Sequence, residues 1–152
     1  MTYPPIIPYL SVSDASGALE FYKKAFGAEV PEIHHAPGSS KIMHARVLVN
    51  GGLFMLADDF STEFGTPCET PKALGGCPVT LHLQMDHVDE FWKRAVAAGA
   101  LVTMPLADQF WGDRYGQLQD PYGHKWSLGQ TIKTMSAEEM EEAAKVAFPA
   151  EV

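Results

Sequence analysis

Apolar positions recur along this chain with two periods, and the switches between them lay out its elements. Residues 6–13 predict a first strand with Ile6, Leu10 and Val12 on one face. Prolines at 4, 5 and 8 put its start near an edge or a bulge. Ser13 or Asp14 is placed to cap a helix. Ala18, Phe21, Tyr22, Ala25 and Phe26 form its apolar stripe, and Gly27 stands where the helix must stop. Residues 28–36 predict a second strand, Gly38-Ser39-Ser40 a turn, and residues 41–50 a third strand. In the third, Met43, Ala45, Val47 and Val49 share one face, and His44, Arg46 and Leu48 the other. Asn50-Gly51 then marks a tight hairpin into a fourth strand over 53–57.

Residues 58–78 are polar and rich in Gly, Pro and Thr, which reads as a long mobile linker. Periodicity resumes at 79–85, where Leu81, Leu83 and Met85 alternate with Thr80, His82 and Gln84. Asp86 is placed to cap a second helix with the stripe Val88, Phe91, Trp92 and Ala95, ended by Gly99. Residues 101–106 predict a sixth strand. The stretch 111–128 predicts a closing hairpin turned at Asp120-Pro121-Tyr122-Gly123, where Pro and Gly supply the backbone angles the turn needs. Leu118, Trp126 and Leu128 share one face, and Gln117, Gln119, Lys125 and Ser127 the other.

The chain therefore writes one order twice: strand, helix, three strands. Phe21-Tyr22-Lys23-Lys24-Ala25 is echoed by Phe91-Trp92-Lys93-Arg94-Ala95. A unit this small should pair with its copy. The expected fold class is α+β, with paired βαβββ modules in a single domain over 1–152. Module one spans about 4–58, the linker 59–77 and module two about 78–130. Ser136-Ala137-Glu138-Glu139 is a capping-box pattern and opens a C-terminal helix over about 136–147.

Composition narrows the function classes. With 46% hydrophobic and 20% charged residues the chain reads as globular, and no apolar run approaches the ~20 residues of a membrane span. The first ten residues lack the basic and apolar regions of a secretory leader, so a cytoplasmic location is expected. A net charge of −8 without a basic stripe argues against nucleic acid. Cys68 and Cys77 fit no zinc-finger spacing and read as two unpaired thiols.

Three stretches carry a family resemblance: Ser13-Asp14 with Phe21–Ala28, His44–Asp58, and Phe110–Leu128, which contains D-P-Y-G followed by H-K-W-S-L. In these the chain resembles the vicinal-oxygen-chelate superfamily, the glyoxalase / bleomycin-resistance / extradiol-dioxygenase group, and within it the PhnB-like branch. The resemblance spans residues 6 to about 130. It implies paired modules whose mixed sheet curls into a cup, usually two cups in a homodimer. Metal-using members carry ligands at four positions, which fall here at about Ile7, Met55, Thr80 and Ser127. None is a good divalent-metal ligand. No metal ligand and no cofactor is therefore expected. PhnB-like sequences are sometimes labelled methyltransferases, but no Gly-rich turn with a downstream ribose-binding acid is present here.

The expected function is binding of a small molecule in the cup without a catalytic metal. The alternative is a lyase, isomerase or dioxygenase-type enzyme, using a site displaced to His44 and His82 or His82 as base. His82 is the candidate catalytic residue; it could equally be an imidazole bonded to a neighbouring strand. The candidate ligand-binding residues are Tyr9, His44, Arg46, Met55, Thr80, Gln84, Trp111, Tyr115, Gln117 and Ser127. Trp111 and Tyr115 could stack on a planar ligand or seal the rim. Arg114 reads as the ion-pair partner of Asp113, and His124 as a brace for the turn.

Overall fold

A computed structural model describes residues 2–150. The predicted repeat is present as two four-stranded sheets with the same strand order. The first holds β1 (Tyr9–Val12), β2 (Glu29–His35), β3 (Ile42–Val49) and β4 (Gly52–Asp58), ordered β1-β4-β3-β2. The second holds β5 (Thr80–Gln84), β6 (Leu101–Asp108), β7 (Asp113–Gln119) and β8 (Lys125–Thr131), ordered β5-β8-β7-β6. In each, the first strand runs parallel to the last and the other pairings are antiparallel. The fold is α+β, as expected.

Helix α1 (Ala15–Phe26) begins where Asp14, in extended backbone, accepts a bond from Gly17 N. Its predicted stripe is buried, and Gly27 ends it at φ 64°, a left-handed angle that glycine takes without strain. Helix α4 (Val88–Ala97) differs from expectation at its start. His87, not Asp86, occupies the cap, and its side chain makes no capping bond. Gln130 Oε1, arriving from β8, accepts from Val88 N at 3.2 Å instead. A tertiary partner has replaced the local one.

At Ile6 and Met43 the structure departs from the expected alternation. Ile6 precedes β1 and is 87% exposed. Met43 is 47% exposed, and Ile42 takes the buried position in its place. The pairing explains this: His34 faces His44 and His35 faces Ile42, so Met43 is an extra residue that bulges out of β3 and reverses the alternation. The linker also carries more structure than expected, with two one-turn helices, α2 (Ser61–Phe64) and α3 (Pro71–Leu74). Thr70 caps α3 through Ala73 N, and Pro71 is buried against the closing turn, 2.8 Å from where a Cβ on Gly123 would stand.

One core serves both modules. Trp126 of β8 packs on Tyr22, Phe26 and Phe54 of module one, and Phe26 stacks on Phe91 of α4 at 5.5 Å. Asp120, 4% exposed, gathers four donors. Its Oδ2 accepts from Tyr22 Oη at 2.5 Å and Trp126 Nε1 at 2.9 Å; its Oδ1 accepts from Tyr122 N and His124 N. Burial, with the Asp120 carboxylate beside it, holds the Tyr22 phenol well above the usual tyrosine range. Arg94 adds bonds to the carbonyls of Lys24 and Lys23 at the end of α1.

Helix α5 (Ala137–Ala147) starts at Ser136, whose Oγ accepts from Glu139 N as the capping box predicts. Among the described residues no helix is long and apolar enough to cross a membrane.

Candidate functional site

Strand register aligns the candidate residues in rows across each sheet. In the second sheet His82 lies beside Ser127, Ser127 beside Gln117, and Gln117 beside Met104. Together with Thr80, Trp111, Asp113 and Tyr115 they line an open hollow of about 540 Å³.

The alternation that sends Leu128 and Trp126 into the core turns Ser127 to this opposite face, where it is only 2% exposed. Ser127 Oγ lies 2.8 Å from His82 Nδ1, and His82 Nε2 lies 2.7 Å from Gln84 Oε1. Gln84 Nε2 donates to Thr131 Oγ1 at 3.0 Å, so Gln84 Oε1 must act as acceptor. In the neutral ring these partners set the proton on Nε2 and have Ser127 donate to Nδ1. Both ring nitrogens are committed within the protein. The ring stacks on Tyr115 at 5.8 Å. It also lies against Gly129, where a Cβ would come 2.9 Å from His82 Cε1.

Tyr115 Oη accepts from Gln117 Nε2, and Trp111 stands edge-on to Tyr115 at 5.3 Å. Trp111 Nε1 donates to Asp113 Oδ2. Arg114 does not pair with Asp113, as the sequence suggested. It bonds Asp89 at 3.0 Å and Asp108 at 3.1 Å on the far side of β7, and these carboxylates raise its pKa. Adjacent strand residues point to opposite faces, which separates Arg114 from its sequence neighbour.

The first sheet carries the corresponding row Tyr9, Met55, Arg46 and Glu32. Tyr9 Oη lies 2.7 Å from His44 Nδ1, and His44 stacks on His34 at 6.0 Å. Glu32 bonds His34 Nε2 at 2.6 Å and pairs with Arg46. Burial raises the Tyr9 phenol. Glu32 is held below the usual glutamate range, first by the His34 bond and then by the Arg46 charge. Glu32 is not among the residues expected from sequence, and the adjacent His34 and His35 are expected only to point to opposite faces. Their partners depend on the β2–β3 register, which the Met43 bulge shifts between His34 and His35.

That network should respond to acid. Because Glu32 titrates lower in the fold than in the unfolded chain, its stabilisation is complete above the ordinary carboxylate value of about 4.3 and is lost as pH falls through the lowered one. The melting-temperature gap between the native chain and Glu32→Gln is expected to be full at neutral pH and to close in acid. A gap independent of pH would contradict the assignment.

Thr80, His82, Trp111, Tyr115, Gln117 and Ser127 thus share the hollow of sheet two. Gln84 supports it from beside His82. Tyr9, His44, Arg46 and Met55 lie together on sheet one.

A profile of the Glyoxalase/Bleomycin resistance protein/Dioxygenase superfamily matches residues 6–128. The chain belongs to this superfamily. An uncharacterized protein of Mycobacterium bovis is 45% identical over 141 residues, covering 92% of this chain and 91% of the relative. Among solved structures, TioX from Micromonospora sp. ML1 is 26% identical with a TM-score of 0.62, covering 88% of this chain and 100% of its own. A Bacillus cereus PhnB protein, described as a putative 3-demethylubiquinone-9 3-methyltransferase, is 23% identical with a TM-score of 0.63 over 84% and 99%. These likenesses show the fold.

The superfamily's metal centre can be tested against this chain's residues. Met55 and Ser127 occupy equivalent places on the last strands of the two sheets, and neither is a carboxylate, imidazole or thiolate. Beside them the register sets Tyr9 and His82, each two residues beyond the Ile7 and Thr80 expected there; Tyr9 is likewise no carboxylate, imidazole or thiolate, and His82 has both nitrogens bonded. Among the described residues no group of three or more His, Cys, Asp or Glu is arranged to hold a metal ion. The donor set does not fit.

Proposed function

We propose that the chain is a small-molecule binding protein that works without a metal, and that its ligand is planar and uncharged or cationic. The ring-stacked His82–Tyr115 wall carries this reading. It presents aromatic faces rather than a reactive group, since the one imidazole in the hollow is held by Ser127 and Gln84. The remaining polar groups are neutral hydroxyls and amides, apart from the Asp113 carboxylate. That set favours stacking and hydrogen bonding and repels anions. Tyr9, His44, Arg46 and Met55 belong to the site if a second copy turns its sheet one toward this hollow, so the working unit is a homodimer.

The test is fluorescence titration with a panel of acridines, quinolines and related planar bases, beside thermal melts with Ni, Zn, Fe(II), Mn and Mg. At least one planar base should quench tryptophan fluorescence saturably, and Tyr115→Ala should weaken it about five- to tenfold, the size of a lost aromatic contact. No metal should raise the melting temperature, and sedimentation should show a dimer. Stoichiometric metal binding, or the same affinity in Tyr115→Ala, would sink the reading.

A further inference from the structure

A second cavity, of about 370 Å³, lies away from that hollow, between β1, the end of the linker and the closing turn. Its walls are largely apolar, from Pro8, Leu10, Leu74, Pro78, Val79 and Leu81. Two groups with chemistry face it, Cys77 and His124. His124 is only 9% exposed. Its Nε2 lies 2.9 Å from the Ser11 carbonyl oxygen, which can only accept, so Nε2 carries the proton. Nδ1 is left with its lone pair, and the neighbour it faces is Cys77 Sγ at 4.0 Å. The thiol donates to the Val79 carbonyl at 3.3 Å and so lies within a small rotation of the imidazole. The other titratable groups lining the cavity are Tyr9 and Glu69.

A thiol beside a base of fixed tautomer is the arrangement that activates cysteine, and such pairs are often looser before a ligand arrives. Folding explains the pairing: the D-P-Y-G turn delivers His124 onto Ser11, and the linker must end beside it to begin β5. The bond to Ser11 braces the turn, as the sequence suggested, and it also sets Nδ1 free toward the thiol.

We infer that Cys77 and His124 form a covalent capture site for small apolar electrophiles carrying an activated double bond. His124 Nδ1 takes the thiol proton. The sulfur electron pair forms a bond to the β-carbon, the double-bond pair moves to the α-carbon, and that carbon takes the proton back from Nδ1. Atoms and electrons balance without an oxidant. The cavity shares no lining residue with the hollow in sheet two.

N-ethylmaleimide is the probe, and intact-mass and peptide mass spectrometry follow each thiol. Cys68, which lies beside Thr70 Oγ1 and the Asp59 carboxylate, is the internal comparison. At about pH 7 Cys77 is expected to react at least about tenfold faster than Cys68. His124→Gln keeps a donor for the Ser11 carbonyl and removes the base, and should slow Cys77 at least about fivefold. An equal rate at the two cysteines, or an unchanged rate in His124→Gln, overturns the proposal. If that variant fails to fold, the native pH profile decides. An unassisted thiol slows about tenfold per pH unit below ~8.5. Cys77 is expected to slow less than about threefold from about pH 8 to about pH 7, and a slope of about eightfold, that of a thiol titrating at ~8.5 over this range, overturns the proposal. A maleimide carrying a carboxylate should lag behind N-ethylmaleimide at Cys77 more than at Cys68; equal ratios would remove the apolar cavity from the account.

Discussion

Replacing Asp120 with Ala is expected to cost about 4 kcal/mol of stability, a large part of what a domain of this size has. The substitution strands four donors at once: the Tyr22 hydroxyl, the Trp126 indole N–H and the amides of Tyr122 and His124. Each buried donor left without a partner costs roughly 1–3 kcal/mol, and water entering the gap recovers part of the sum. Asp120→Asn should cost about half as much. Its oxygen can still serve the turn amides, while its NH2 opposes the phenol and the indole. Urea denaturation of the three chains measures this. A loss under about 1 kcal/mol in Asp120→Ala would show that the turn, not the carboxylate, holds the modules together.

Trp126→Ala is the second large effect, at about 4 kcal/mol for a buried indole exchanged for a methyl. Trp126 touches Tyr22, Phe26 and Phe54 across the module boundary, so the cavity opens into both halves. Unfolding should remain a single transition at a lower midpoint, because the two halves share one core. Two resolved transitions in calorimetry would mean that the modules are separately stable. The pair Asp120→Ala and Trp126→Ala should cost less together than the sum of the two, since both delete the 2.9 Å bond between them.

What the sequence made legible was local. The α1 stripe, the Gly27 stop, the Asn50-Gly51 turn and the Ser136 box each depend on residues within a few positions of one another. Asn50 and Gly51 have φ of 51° and 77°, as that turn demands. Errors arose where a distant strand decides. The Met43 bulge depends on the pairing with β2. The start of α4 depends on Gln130, and Arg114 on Asp89, 25 residues away. The α3 turn was legible and was missed: Thr70-Pro71 followed by Gly75 is a cap, a first-turn proline and a stop.

In the site, strand parity found the hollow because side chains on one face alternate whatever the ligand. It placed Thr80, His82 and Gln84 opposite Leu81, Leu83 and Met85. Parity gives no information on which partners satisfy the His82 ring, since Gln84 and Ser127 reach it only once β5 and β8 are paired. The roles of Glu32 and His34 are not legible in sequence because they come from Arg46 and His44 on the next strand.

The shared aromatic core also has a consequence in time. During synthesis β1 can pair with β4 as soon as residue 58 has emerged, so the first sheet closes early. Tyr22, Phe26 and Phe54 then wait for Trp126, which follows Asp58 by nearly half the chain. At roughly 5–20 residues per second that delay lasts on the order of several seconds. For that interval the nascent first module carries an uncovered aromatic face, and the β7–β8 hairpin is the one that closes it.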